Sequence, residues 1–282
     1  MYSLLTEDLA EAARLLPDTR NAEKARVTGI AAYTLLAKVY LTFGKHAEAR
    51  TALDEAMKAT GYGLESTTKR VFDINNKMNK EVIFALYYNK TNDNGHGYWY
   101  STNTDVMADI RNPTPEFKAI YDESDNRLAL IDTYTKIQSN LFAMTKWYDT
   151  YDATYTTQVG NDFPHLRYAD ITLMYAEALA ETDLPTALTW LNKTRIRAGL
   201  DELTLDDVKT KAEFIRELAA ERGREFALEG HRWFDLVRLG LAVEHFRNLG
   251  YTLDAHNLIF PIPQNQIEIV NNPSILWQNP GF

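Results

Sequence analysis

The sequence contains no cysteine. That excludes disulfides, thiolate catalysis and cysteine-ligated metals, and it leaves this chain without a cysteine for lipid attachment. Positive charge is in short supply too: 30 Lys and Arg stand against 39 Asp and Glu, a formal net charge of -9. No basic patch forms along the chain, whereas a phosphate backbone is held by clustered cations, so nucleic acid is not an expected partner. No apolar run approaches the ~20 residues of a membrane-spanning helix. The opening, MYSLLTEDLAEAARLLPD, reads as an amphipathic helix with acidic residues rather than a signal peptide. The expectation is either a cytosolic protein or an exported one whose signal lies outside this sequence. Histidines are few and scattered: His46, His96, His165, His231, His245 and His256 contain no HExxH or comparable pair, so neither a zinc site nor any other cofactor is expected.

What is present is enough apolar residue, 45% of 282, to bury a large core. Aromatics make up 12%, with 16 Tyr, which is rich for a helical chain and points to a surface that stacks on something flat. The most heavily charged segment is 213–240, EFIRELAAERGREFALEGHRWFDLVRLG. Charged and apolar residues interleave there at helical spacing, and Glu221 with Arg224, and Arg222 with Glu225, fall three apart, where helical side chains meet. Gly230 can take the left-handed conformation that ends a helix.

Helical periodicity recurs along the chain. Ser3 or Thr6 is the expected cap of a first helix running to about Leu16. Over 25–60, Tyr33, Leu36, Ala37 and Tyr40 line one helix, Gly44 makes a turn, and Ala49, Leu53 and Ala56 line a second, which matches the tetratricopeptide pattern of small residues at the close approach. A second hairpin over 168–197 places Ala176, Ala187 and Leu191 similarly, and 213–240 supplies a third, less regular pair. Between 62 and 166 the helical period weakens. EVIFALYY, 81–88, has the content of a strand, NKTNDNGHG, 89–97, that of a polar loop, and 134–155 that of short strands and loops. From 258 the four prolines of LIFPIPQNQIEIVNNPSILWQNPGF predict an extended arm with one short helical turn, wrapped over the body. The fold class expected is mainly α, with tetratricopeptide-like hairpins, a loop-rich, short-strand insertion and an extended C-terminal arm. No linker-like stretch divides the chain, so one domain is expected, comprising a hairpin region 1–60, a ligand-facing insertion 61–166, further hairpins 167–257 and the arm 258–282.

Several segments together resemble the SusD/RagB family of outer-membrane nutrient-binding lipoproteins: DLAEAARLLPD, AAYTLLAKVYLTFGKHAEAR, NKEVIFALYY, RYADITLMYAEALAE, LNKTRIRAGL, ELAAERGREFALEGHRWFDLVRLG and FPIPQNQIEIVNNPSILWQNPGF. They follow the family's order over nearly the whole chain. The resemblance implies a helical fold with a looped, ligand-facing side. It also implies a lipid-anchored cell-surface protein that lies as a lid on a TonB-dependent, SusC-like transporter and captures glycans or peptides. Members begin with a signal peptide, a lipidated cysteine and a long helical portion that are not in this sequence, so the chain is expected to be the C-terminal part of such a protein or a short form, and to meet the membrane only through an anchor it does not itself carry.

The expected ligand contacts lie in the aromatic loops. Trp99 leads, with Tyr98, Tyr100, Asn92, Asp93, Asn94 and His96, and a second group comprises Trp147, Tyr148 and Tyr151. Sugar rings present C–H faces that stack on aromatic side chains while Asn and Asp reach the hydroxyls, and amphipathic rings favour such half-wet sites. Against this stands the packing of Tyr98 and Trp99 back on the strand at 81–88. Trp190, Trp233 and Trp277, within the family-like segments, are expected in the core.

The carboxylates Glu221, Glu225, Glu229 and Asp235 invite comparison with a glycosidase pair, but catalysis needs one acid kept protonated. Here each Glu has an arginine within helical reach, which favours ionised carboxylates in a structural network, and no enzyme activity is expected. Arg232 and Arg238 are expected to clamp these carboxylates or the C-terminal arm. Asp122, Asp125 and Asn126 could offer oxygens to calcium, although a capped turn with Asp125 bonded to Arg127 or to backbone is the favoured reading. Other function classes are a tetratricopeptide scaffold gripping a peptide in its groove, and a peptide-capturing relative of the same family.

Overall fold

The structure, a computed structural model, describes residues 1–17, 26–88, 101–103, 113–132, 134–138, 141–147 and 160–282. The chain divides into two compact units, residues 1–231 and 232–282.

The first unit opens with α1 (Tyr2–Leu15), which starts directly after Met1 with no side-chain cap. The hydroxyl of Thr6, an expected cap, donates to the carbonyls of Tyr2 and Ser3 at 3.1 and 3.0 Å. The residue before it therefore already has helical geometry, and threonine back-bonds as it does inside helices. Thr28 caps α2 (Gly29–Thr42) by accepting from the Ala31 amide. Gly44, at φ +68°, turns the chain into α3 (His46–Ala56), and Ala37, Ala49, Leu53 and Ala56 are completely buried between the two helices. Small side chains at these positions let the backbones approach, and the larger ones fill the space; a fully buried leucine contributes about 1.5–3 kcal/mol. After the short α4 (Thr68–Val71) comes β1 (Val82–Leu86). Strand β2 (Ser101–Asn103) and the one-turn helices α5 (Pro115–Lys118) and α6 (Leu128–Asp132) follow, then β3 (Tyr134–Gln138), β4 (Leu141–Met144) and a 3-10 turn at Thr145–Trp147.

Strand β5 (Phe163–Arg167) runs straight into α7 (Tyr168–Leu179), which is buried on nearly every face, and Asp183 caps α8 (Leu184–Arg197). Ala176, Ala187 and Leu191 are again fully buried, so the second hairpin repeats the first. A capping box of Thr210 and Glu213 starts α9 (Lys211–Glu225). This helix ends at Glu225, five residues before the expected stop. Gly230 does have φ +82°, but Leu228 shares the left-handed region at φ +64°. The intervening turn directs Glu229 into the interior, where it meets Arg167 and Lys146.

Strands β1 and β5 form an antiparallel ribbon with Val82 opposite Arg167 and Leu86 opposite Phe163, irregular near Phe84. A separate antiparallel sheet has the order β2-β4-β3. The main core joins α2, α3, α7, α8 and α9, and a smaller cluster gathers Tyr121, Ile131, Trp147 and Ala227 with Phe72 and Phe163 against it.

The second unit contains α10 (Arg232–Arg238), α11 (Ala242–Asn248) and α12 (Gln264–Val270). Trp233 meets Phe246 edge-on at 5.8 Å. Its tail is tied to itself: the Gln278 side chain accepts from the Ile262 amide at 2.7 Å and donates to its carbonyl at 2.9 Å, while Asn279 donates to the Phe260 carbonyl at 2.6 Å. The expected helical turn in the arm is the seven-residue α12. Of the tryptophans expected in the core, Trp190 and Trp233 are half-buried and Trp277 is 63% exposed. Trp190 instead meets Tyr175 at a tilt, with centroids 4.5 Å apart, and the Lys193 ammonium, 3.0 Å from its ring.

Candidate functional site

Most of the side chains expected to touch ligand, Asn92, Asp93, Asn94, His96, Tyr98, Trp99, Tyr100, Tyr148 and Tyr151, lie outside the described residues. What the structure describes is where their segments begin and end. Tyr88, after β1, and Gly160, before β5, are brought together by Lys77. Its ammonium donates to the Tyr88 carbonyl at 2.6 Å and the Gly160 carbonyl at 2.8 Å, and pairs with Asp162 Oδ1 at 2.8 Å. The Tyr88 amide donates to the same carboxylate oxygen at 3.0 Å. Two carbonyls and a carboxylate form an oxygen cradle of the kind that receives a cation, and here the lysine itself fills it. Burial pushes the Asp162 carboxyl up, opposed by its bonds to Lys77 and to the Tyr88 amide. The other two ends are also neighbours in a sheet, since β2 begins at Ser101, opposite Ala143, and β4 leads through the 3-10 turn to Trp147. Segments 89–100 and 148–159 are thus rooted side by side.

Trp147, the one expected ligand contact within the described residues, is a correction. It is 1% exposed and packs edge-on against Phe72 at 5.1 Å and against Phe163 at 5.8 Å. Its place in the small core follows from the turn that carries it, which lays the ring against Phe72 and against Phe163, the first residue of β5. It supports the loop roots and does not face a ligand.

Beside these roots lies a pocket lined by Val71, Phe72, Lys77, Met78, Asn161 and Asp162, among others, with about 310 Å³ of unfilled space counted out to its mouth. Neither Lys77 nor Asn161 nor Asp162 was expected to matter from the sequence. NDFP at 161–164 carries only the signature of a turn.

The carboxylates of α9 belong to a different arrangement. Arg167 spends all five guanidinium protons, on Glu229, Glu81, Glu225 and the Glu225 carbonyl, at 2.6–2.9 Å. Arg127 reaches Asp125, Glu221 and Glu225, and Arg197 reaches Glu81 at 2.6 Å and also Glu225. Lys146 donates to Glu229 and the Ala227 carbonyl. Counting Arg224, which pairs with Glu221 as the helical spacing foretold, five cations face five carboxylates. Burial alone would raise the Glu225 carboxyl, but Arg197, Arg167 and Arg127 outweigh it and hold it well below the usual range. Glu221 and Glu229 are lowered in the same way, against their burial, by Arg127 and by Arg167 with Lys146 respectively. An acid catalyst needs the opposite shift, so this knot is ionised and structural.

The other expectations for this segment change accordingly. Arg222 pairs with Asp170, at 2.8 Å, on another helix. Lys38 pairs with that same aspartate at 2.8 Å, and His231 lies 3.3 Å from Lys38 Nζ and stacks on Phe226. The carboxylates are clamped by Arg127, Arg167 and Arg197 from distant segments, while Arg238 pairs with Asp235 inside α10. The turn at 122–127 is capped as expected: Asp122 accepts from Ser124, Asp125 holds Arg127, and Asn126 donates to the Arg197 carbonyl at 3.1 Å.

Comparison with known proteins gives the following. A family model described as "SusD family" matches residues 121–282. A SusD-like protein, P2, of Formosa agariphila is 27% identical over an alignment that covers this whole chain and 65% of that protein, so the chain spans just under two-thirds of the relative's length. Among solved structures, a laminarin binding SusD-like protein is 26% identical, with a TM-score of 0.72, over all of this chain and 68% of its own. A SusD superfamily protein from Parabacteroides distasonis superposes at a TM-score of 0.77 with 22% identity, covering 98% of this chain and 67% of that one.

Proposed function

This chain belongs to the SusD family, and on that footing we propose that it binds an oligo- or polysaccharide without altering it chemically, as the capture component of an outer-membrane uptake system. The observation that carries the reading is the shared root of segments 89–100 and 148–159, held by Lys77 between Tyr88 and Gly160. Two sequence segments begin and end side by side, the first with Asn, Tyr and a single Trp and the second with Tyr and Asp, a composition that suits a platform of rings with polar groups at its rim. Trp99 is the leading contact, with Tyr98, Tyr100, Asn92, Asp93, Asn94 and His96 beside it and Tyr148 and Tyr151 from the second segment. The laminarin-binding relative, similar over the full chain, supports a glycan as the ligand class. A TonB-dependent, SusC-like transporter is the proposed partner and the outer face of the outer membrane the proposed location, both on the ground of family membership. The ionised state of Glu221, Glu225 and Glu229 supports a binding role over a hydrolytic one.

The test is a polysaccharide panel that includes laminarin, followed by calorimetry on the binder. Trp99→Ala is expected to weaken binding about tenfold, the effect of losing one stacked ring. No binding across the panel, or hydrolysis of the bound glycan, overturns the reading.

A further inference from the structure

The pocket beside the loop roots contains a polar side chain with nothing to bond. Asn161 is 3% exposed, and among the described residues neither its amide nitrogen nor its carbonyl oxygen has a hydrogen-bond partner. The Asp162 Oδ2 atom, next to it, is buried and equally unengaged, although Oδ1 is fully used by Lys77 and the Tyr88 amide. Buried amides are almost always satisfied. A donor pair, a carbonyl and a carboxylate oxygen left open at one wall of a pocket are therefore an offer to a molecule from outside.

The chemistry of that molecule follows from the groups. An amide N–H donates to a hydroxyl oxygen, while the amide carbonyl and a carboxylate oxygen each accept a hydroxyl proton. Neighbouring hydroxyls on a saturated carbon frame satisfy all three. An anion would meet Asp162 with like charge, and a metal cation would meet the Lys77 ammonium, which already occupies the oxygen cradle. Val71, Phe72, Met78 and Val82 supply apolar walls for C–H surface. The interior admits groups of about the size of a water molecule, so one or two hydroxyls enter and the rest of the ligand stays at the mouth.

We propose that Asn161 and Asp162 form a subsite that takes the vicinal hydroxyls of a saccharide. This rests on the glycan-binding reading and adds to it an anchoring point immediately before β5.

Two measurements test it. The first follows the Asn161 side-chain amide by NMR while methyl β-glucopyranoside, or glycerol as a minimal diol, is titrated into the wild-type protein. A saturable shift of that resonance is expected, and its absence with both probes overturns the subsite. The second compares Asn161→Ala with wild type on whichever polysaccharide of the panel binds. Loss of two hydrogen bonds predicts affinity about tenfold weaker with an unchanged melting temperature, since the side chain bonds nothing in the protein. Equal affinity overturns the subsite while leaving the glycan reading intact. If no polysaccharide binds but the Asn161 resonance moves with the diols, the subsite stands and the polysaccharide reading falls.

Discussion

Two polar clusters lie in the first unit, and they use their hydrogen bonds in opposite ways. In the knot at the end of α9, Arg167 and Arg127 commit every guanidinium proton to protein oxygens, and Glu225 receives three arginines. At the loop roots, Lys77 and one oxygen of Asp162 are committed, but Asn161 and the other oxygen are not. The knot is buried and the loop-root cluster partly so, and both are charged, so charge does not separate structure from function here. The degree of completion does: among the described residues the knot leaves only the Arg197 Nε–H without a partner, while the roots leave a whole amide and a carboxylate oxygen open. A nearly complete network specifies a conformation, and an unfinished one awaits a partner.

Removing Arg167 would test the first half of that contrast most severely. Arg167→Ala leaves Glu81, Glu225 and Glu229 short of compensation in the interior, and a loss of about 3–5 kcal/mol is expected from urea unfolding. A loss below about 1 kcal/mol would mean that water replaces the guanidinium and that the knot is no more than a wet surface. Acid comes next. Burial, with Lys38 and Arg222 nearby and Asp170 opposing them, lowers His231 from 6.5 to about 4. Its neutral form therefore stabilises the fold fully above pH 6.5. That contribution, on the order of 3 kcal/mol, is lost as pH falls from 6.5 toward 4, because the unfolded chain takes up the proton first. The carboxylates of the knot, lowered in the fold, add their own loss below their ordinary range near 4.5. Melting temperatures against pH should show two stages, and His231→Gln should shrink the first, to which His165 and His245, also lowered, contribute as well; an equal first stage in both proteins would contradict the assignment.

Lys77→Met strikes the second cluster. It frees two carbonyls and Asp162, with an expected cost of about 1–3 kcal/mol and faster amide exchange at residues 86–88 and 160–163. If global stability falls but exchange there does not quicken, Lys77 is not what joins the roots. The smallest effect is expected for Asn161→Ala, under about 1 kcal/mol on stability, against its tenfold effect on binding. A large stability loss from that variant would erase the contrast, since Asn161 would then belong to a completed network.

What the sequence made legible was local. Hairpin spacing located Ala37, Ala49, Ala176 and Leu191 in the core, and the three-residue offset correctly paired Glu221 with Arg224, because both rest on neighbours along one helix. That offset says nothing of Arg222's partner on another helix, Asp170. Arg127 and Arg167, which pair with Glu221, Glu225 and Glu229, come from 58 to 98 residues away, beyond any periodicity argument. Aromatic content misled at both ends: Trp147 sits in the core and Trp277 is exposed, since ring type fixes neither burial nor role. Asn161 gave no signal at all, because an unmatched amide is visible only once its surroundings are.

The long chain separations within the knot also set when it can form. Arg197 and Glu81 are 116 residues apart, Arg127 and Glu225 98. Closing such loops is entropically costly and slow, so the knot assembles after the hairpins have condensed and contributes little to the rate-limiting ascent. Its energy then resides on the descent side of the barrier, where it retards unfolding rather than speeding folding. In a chevron plot Arg167→Ala should move the unfolding limb, and a shift confined to the folding limb would place the knot in the nucleus instead. A protein built this way owes its endurance to a slow exit from the native state, with the ion pairs serving as a latch that engages last.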